Sequence, residues 1–336
     1  MVAAGVAMPA DVQGVFVHGN RLQLARELAG RVRELSQLIV WRGLVAIAVD
    51  WAMISVSFAL ALSLPNPVVW IAAALVIATR QHALSILMHD ASHFRLLSSR
   101  VWNDRLSNWL LAYPLLVTTE GYRKNHLAHH LHLNTEADPD WVRKAGKRDW
   151  KFPKSKRALL LLLARDFCGG GFVDMLKAIV NLRGEKSVER AAQTRRYVIG
   201  RCLYYAVAAA AIMAAGLWLP VLVLWYLPAF TVLPVILRIR SIAEHFGLEA
   251  EHDLNMSRNT TCPLWERVLL APHNIGYHLD HHIFPSVPFY NLPRLSSLLM
   301  GVPEYAALAH QNDQYLGVSR RSVLANITNR ASDASS

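Results

Sequence analysis

Two stretches of this chain, Gly43 to Leu64 and Pro67 to about Leu87, are almost unbroken runs of apolar residues. Each matches the ~20 residues that cross a ~30 Å hydrocarbon layer as a helix. A backbone in such a layer must satisfy its own hydrogen bonds, which restricts these runs to helices. Pro65-Asn66-Pro67 between them is a turn signal, so the pair is expected to form a helical hairpin. A second pair follows, about Tyr197 to Leu219 and about Pro220 to Leu237, with Gly216 and Pro220 marking the turn. The expected fold is therefore all-α and membrane-integral, with four transmembrane helices in two hairpins. Composition agrees: 53% of residues are hydrophobic, and the mean hydropathy is +0.23, a positive value that soluble domains rarely reach.

Charge sets the expected orientation. Lysine and arginine number five in residues 1–42, twenty in 90–196 and eight in 238–336, while the two hairpin turns carry none. By the positive-inside rule the termini and the large central segment face the cytoplasm, where they form a helical cap. The net charge of +11 would suggest nucleic acid in a soluble protein; placed beside membrane spans it suggests a lipid surface instead. Residues 1–42 read as a cytoplasmic leader with one amphipathic helix, roughly Arg21 to Ile39, and without the cleavage pattern of a secretory signal. Residues 43–310 read as the membrane domain, and 311–336 as a polar tail, frayed after Arg320. Arg157 to Phe172 is too short an apolar segment to span and reads as interfacial or re-entrant. Arg80 and Arg201 are expected to snorkel to a boundary, and Asp50 to make a polar contact inside the bundle. Cys168, Cys202 and Cys262 have no metal or disulfide spacing.

The fifteen histidines carry the chemistry. Eight fall in three clusters: His89 and His93 in HDASH, His126, His129 and His130 in HLAHH, and His278, His281 and His282 in HLDHH. All lie on the predicted cytoplasmic side, two of the clusters just past a span. Residues three or four apart on a helix share a face, with Cβ atoms ~5–6 Å apart, and such a pair can hold one metal or two neighbouring ones. His245, about eight residues past the fourth run, would stand ~12 Å out on a continued helix and is a ninth candidate. A closed zinc site needs only four ligands. Eight or nine imidazoles suit two metals with positions left open, and imidazole is a ligand for iron, copper, zinc and nickel. Asp90, Glu244 and Asp280 are placed to accept second ring N–H groups. His82, one heptad before His89, and His132 and His273, beside the clusters, are candidates for supporting contacts. His18, His252 and His310 read as ordinary surface histidines.

These residues resemble the membrane fatty acid desaturase superfamily, with its HxxxH, HxxHH, HxxHH pattern. HLAHHLHLNTEADPDW from His126 to Trp141 and NIGYHLDHHIFPSVPFYNLP from Asn274 to Pro293 carry the likeness beyond the histidines, which extends over about residues 40 to 300. The resemblance implies a non-haem di-iron centre, four spans and a cytoplasmic catalytic cap. It matches His89, His93, His126, His129, His130, His278, His281 and His282 to iron ligands, and His245 to the extra histidine after the fourth span. It places the protein in a bacterial inner membrane or its equivalent. It also implies that oxygen is reduced with electrons from a separate donor of ferredoxin, rubredoxin or cytochrome b5 type with its reductase. One departure is that some acyl-CoA desaturases have an Asn, contacting iron through water, where this chain has Ser241. The basic stretch from Arg143-Lys144 to Lys156-Arg157 is a candidate docking surface for an acidic carrier, with anionic lipid the alternative partner.

The implied activity is desaturation of a fatty-acyl chain by oxygen. The same scaffold also supports hydroxylation, ketolation or decarboxylation to a terminal alkene on a lipid, carotenoid, alkane or specialised metabolite. A membrane metal-binding protein without oxidase activity is the alternative from a different class. Trp102, Trp109, Trp141 and Tyr277 read as interface anchors ahead of channel-lining residues.

Overall fold

The computed structural model describes residues 28–181, 191–248, 254–317 and 319–328; of residues 178–181 and 191–197 it describes the backbone alone. Helices dominate, and three of them are long and apolar enough to cross a membrane: Val40–Ser63, Pro67–Ser92 and Trp218–His245. The chain divides into two compact units that alternate along the sequence. One comprises Val40–His126 and Ser155–Arg240; the other comprises Met1–Ile39, Leu127–Lys154 and Ser241–Ser336. The leader's expected helix from Arg21 lies partly outside the described residues, as do His18 and His252.

In the first unit, Val40–Ser63 and Pro67–Ser92 pack along each other as a hairpin. The second helix starts where sequence says it should: the Asn66 side chain accepts from the Val68 N–H, and Pro67, which lacks a donor to lose, occupies the first turn. From Ile77 to Leu84 every side chain of this helix is buried, including Thr79, Arg80, Gln81 and His82. Arg80 does not reach for a boundary. It is ion-paired to Asp50 on the neighbouring helix at 3.1 Å, both side chains buried, because a partner inside the bundle removes the need to leave it. Trp51 stacks on Trp225 with centroids 5.8 Å apart. Their indole N–H groups donate to the carbonyls of Leu110 and Pro114, the partners that buried indoles require.

The second apolar pair departs from its expected boundaries. Helix Ala191–Ala214 has a shorter apolar stretch, Val198–Ala214, and Gly216 makes the turn at φ +66. The following helix runs on to His245. A π turn at Leu222–Tyr226 lies just before Pro228; the wider turn makes room for a ring that would clash with the carbonyl four residues earlier. Lys156–Phe167, capped by Ser155, is a 12-residue helix, too short to span as expected. It is held to the last long helix by a buried Asp166–Arg238 pair, with contacts of 2.6 and 3.1 Å.

The second unit has its own core, formed by Leu254, Leu279, Ile283, Phe284, Val287, Leu292, Leu295, Leu299 and Tyr305, with Val32 of helix Ala29–Leu35 seated on it. Sequence analysis anticipates no strands, but Arg258–Thr260 and His310–Asn312 pair in parallel, Asn259 opposite Gln311. Residues 311–328, read as the start of a polar tail, contribute the second strand and helix Val323–Thr328, where Val323 and Ile327 are buried. The Glu266 carboxylate accepts the N–H groups of Tyr315 and Leu316 at 2.7 and 2.9 Å.

Candidate metal centre

Four ring nitrogens of the second unit converge. Nε2 of His245 lies 3.2 Å from Nε2 of His129 and 2.9 Å from Nε2 of His278, which is 3.0 Å from Nε2 of His282. The four ligand atoms lie within 4.8 Å of one another, and all four residues are buried. Three segments bring them together. Helix Thr119–Leu131 supplies His129, the last turn of Val232–His245 supplies His245, and the short helix His278–Ile283, all of whose side chains are buried, supplies the other two.

Hydrogen bonding alone does not account for this cluster. An imidazole nitrogen has one in-plane position, filled by either a hydrogen or a lone pair. Nε2 of His245 and Nε2 of His278 each face two other ring nitrogens, more than one such position can satisfy. Bonds of about 2.0–2.1 Å at right angles around a metal put neighbouring nitrogens about 3 Å apart, which is the spacing seen. The donor set fits a divalent metal. Burial, and then the surrounding rings of His130, His278, His129 and His245, push His282 well below its usual range. It is therefore held neutral, the form that ligates.

The ring of His129 is fixed from behind. Its Nδ1 lies 2.8 Å from Oδ2 of Asp138. Burial pushes the Asp138 carboxyl up, but the His129 hydrogen bond and charge, together with the N–H groups of Asn134 and Trp141, outweigh it and hold Asp138 below the usual carboxylate range. An ionised Asp138 makes Nδ1 the donor and leaves Nε2 as the lone pair facing the cluster. Glu244 is 3.4 Å from Nδ1 of His278. Asp280 points elsewhere: it accepts from the Tyr305 hydroxyl, which itself accepts from Asn259 at 3.0 Å and Gln311 at 3.3 Å. Burial raises the Asp280 carboxyl to about 6, against the lowering effect of side-chain hydrogen bonds from Tyr305, Asn259 and Ser296.

The remaining ligand candidates form two groups. In the first unit, Nε2 of His93 is 2.8 Å from Nε2 of His126. The His89 ring centroid is 4.4 Å from that of His126 and 5.4 Å from that of His93. Asp90 is 3.6 Å from Nδ1 of His89. Burial, then the charges of Arg95 and Arg123, lower His93 to about 4. In the second unit, Nε2 of His130 is 3.1 Å from Nε2 of His281, and the His130 ring stacks on His282 with centroids 4.2 Å apart.

Other candidates sit apart. His82 is buried in the long helix. His273 has left-handed backbone at φ +51 and packs on Phe289. His132 is half-buried. Ser241 accepts a 2.6 Å hydrogen bond from Lys144, which is also bound to Asp140 and lies 4.8 Å from the Trp150 ring centroid. Trp102 and Trp109 are exposed, whereas Trp141 stacks on Phe246. Asp138, Tyr305 and Asn259 escape sequence analysis. Asp138 alone leaves a signal, Asp-Pro at a helix start, which reads as a cap and is one: its side chain accepts from the N–H groups of Asp140 and Trp141.

Residues 65–312, well over half of the chain, match the sequence pattern of fatty acid desaturases. The chain belongs to the fatty acid desaturase family. It is an oxidoreductase. Among its relatives, a dihydrorhizobitoxine desaturase of Bradyrhizobium elkanii is 29% identical over 296 residues, 86% of this chain and 83% of that protein. The sphingolipid delta(4)-desaturase/C4-monooxygenase DES2 of Homo sapiens is 29% identical over 230 residues, 67% of this chain and 62% of that protein. An sn-1 oleoyl-lipid 12-desaturase of Synechocystis is 26% identical over 222 residues, 62% of this chain and 61% of that protein. This desaturase is thus similar to enzymes of differing substrate names.

Proposed function

We propose that this desaturase is a four-span membrane enzyme holding two iron ions through His89, His93, His126, His129, His130, His245, His278, His281 and His282. Val198–Ala214, apolar but short, is the remaining span. The catalytic side faces the cytoplasm of a bacterial inner membrane or its equivalent. The observation that carries the reading is the cage of four converging imidazoles, a donor set that suits iron. Iron would supply oxygen activation strong enough to remove hydrogen from an unactivated carbon.

The chain's own residues supply ligands and burial. Asp138 orients His129, and Glu244 lies against His278. The four cage histidines are at most 7% exposed, which excludes bulk water from the site and protects it from side reactions. The balance is simple: a –CH2–CH2– unit, one O2, two electrons and two protons give –CH=CH– and two waters. The electrons come from a separate carrier of ferredoxin, rubredoxin or cytochrome b5 type with its reductase. The substrate is proposed to be a fatty-acyl chain, as the sphingolipid and oleoyl-lipid names of two relatives support. A second reading keeps the chemistry and changes the product or substrate, by hydroxylation, ketolation or decarboxylation, or by action on a specialised metabolite. It is favoured by a relative covering 86% of this chain and named for dihydrorhizobitoxine, and by the C4-monooxygenase in the DES2 name.

Mass spectrometry of lipids and small metabolites from cells with and without the protein tests this. Loss of two hydrogens from an acyl lipid supports the first reading. A gained oxygen, a lost CO2 or a changed small metabolite supports the second. Purified protein that binds iron but consumes no oxygen with a reductant defeats both.

A further inference from the structure

The first histidine helix ends in an arginine supplied by the second. Helix Pro67–Ser92 carries His89, and His93 is its C-cap. Arg123 lies on Thr119–Leu131, one turn before His126. Its Nε donates to the Ser92 carbonyl at 2.7 Å and a terminal nitrogen to the Ala91 carbonyl at 3.0 Å. The other terminal nitrogen bonds Asp104 at 3.0 Å. The Asn103 amide donates to the same Ala91 carbonyl at 2.8 Å. Directly after His93 the chain turns through Phe94 at φ +58, an unfavourable conformation for a bulky residue. The guanidinium covers its ring, 3.9 Å from the centroid.

A basic residue on the last carbonyls of a helix is ordinary capping when it comes from that helix. Here it comes from the helix that holds His126, whose Nε2 meets that of His93 at 2.8 Å. The forked contacts leave little freedom in how the two ligand-bearing helix ends meet. We propose that Arg123, anchored by Asp104, is a positioning residue that sets His89 and His93 against His126 for metal binding. This rests on the two-metal reading above. Lysine cannot replace it, because a compact ammonium lacks the planar fork that reaches two carbonyls and a carboxylate together.

The test uses the full chain purified in detergent, stripped of metal, and titrated anaerobically with ferrous ion alone and, in parallel, with cobalt(II). Arg123→Met, Arg123→Lys and Asp104→Asn are compared with wild type, with elution profile and thermal melt recorded for each. Wild type is expected to take up two metals per chain. Arg123→Met and Arg123→Lys should bind one at wild-type affinity and the other at least tenfold more weakly, with a smaller weakening for Asp104→Asn. Should Arg123→Met fail to fold, the other two variants decide. Two tight metals in the variants overturn the proposal. So does equal weakening of both metals, which would mark a general structural role. A wild-type chain that holds fewer than two metals overturns the two-metal reading itself, and this proposal with it.

Discussion

His129 presents one ring nitrogen to the Asp138 carboxylate at 2.8 Å and the other to His245 at 3.2 Å. The carboxylate therefore selects which nitrogen carries the proton, and the selected tautomer directs a lone pair into the cage. Partners of this kind are typically worth 10–100-fold in metal affinity. Asp138→Ala is expected to weaken the more sensitive metal by about that factor, and Asp138→Asn, whose amide oxygen can still accept, by less. Competition titration against a chelator measures both.

His129→Ala and His281→Ala remove proposed ligands and are expected to abolish turnover and lower bound iron. Product formation in membranes and iron per chain after purification are the measurements. Wild-type activity in either purified variant would count against the ligand assignment.

Acid should destabilise the metal-free chain. His93 is lowered to about 4, and burial holds His282 well below its usual value. Between about pH 6.5 and 4, the unfolded chain binds protons there that the folded chain refuses. Stability then falls with falling pH by up to about 1.4 kcal/mol per unit for each histidine. Asp280, raised to about 6, acts the other way, because the folded state takes up its proton first. Two groups outweigh one, so the melting temperature of the stripped protein should drop from pH 7 to pH 4. A flat or rising profile contradicts this account.

The buried Arg80–Asp50 pair lies between two apolar helices. Removing one partner leaves an uncompensated buried charge, at a cost of about 3–5 kcal/mol, whereas replacing both with apolar residues is often close to neutral. Arg80→Met should therefore lower the melting temperature far more than Arg80→Met with Asp50→Leu. Additive losses in that double-mutant cycle would mean that the pair is not coupled.

Spacing made most of the ligand candidates legible, because three- and four-residue intervals are what a helix turns into a shared face. His245 stands alone in sequence, and its distance past an apolar run is what marks it. The first hairpin was equally plain, since a continuous apolar run and a Pro-Asn-Pro turn are local signals. The later spans were blurred by Pro228 and the π turn before it, which shift helix phase without changing composition. The partners of charged groups were not legible. Asp280 neighbours two histidines in sequence yet bonds a tyrosine 25 residues on, and Arg80 stays inside because Asp50, 30 residues earlier, meets it there. The three-residue strands are too short to show alternation.

The pairing of those strands sets Gln311 beside Asn259, and both donate to the Tyr305 hydroxyl that grips Asp280. The stretch from Tyr305 to Gln311 is thus a brace on the HLDHH helix and not an appendage trailing from it. A protease nick, a splice or a fusion inserted there amounts to surgery on the HLDHH helix itself.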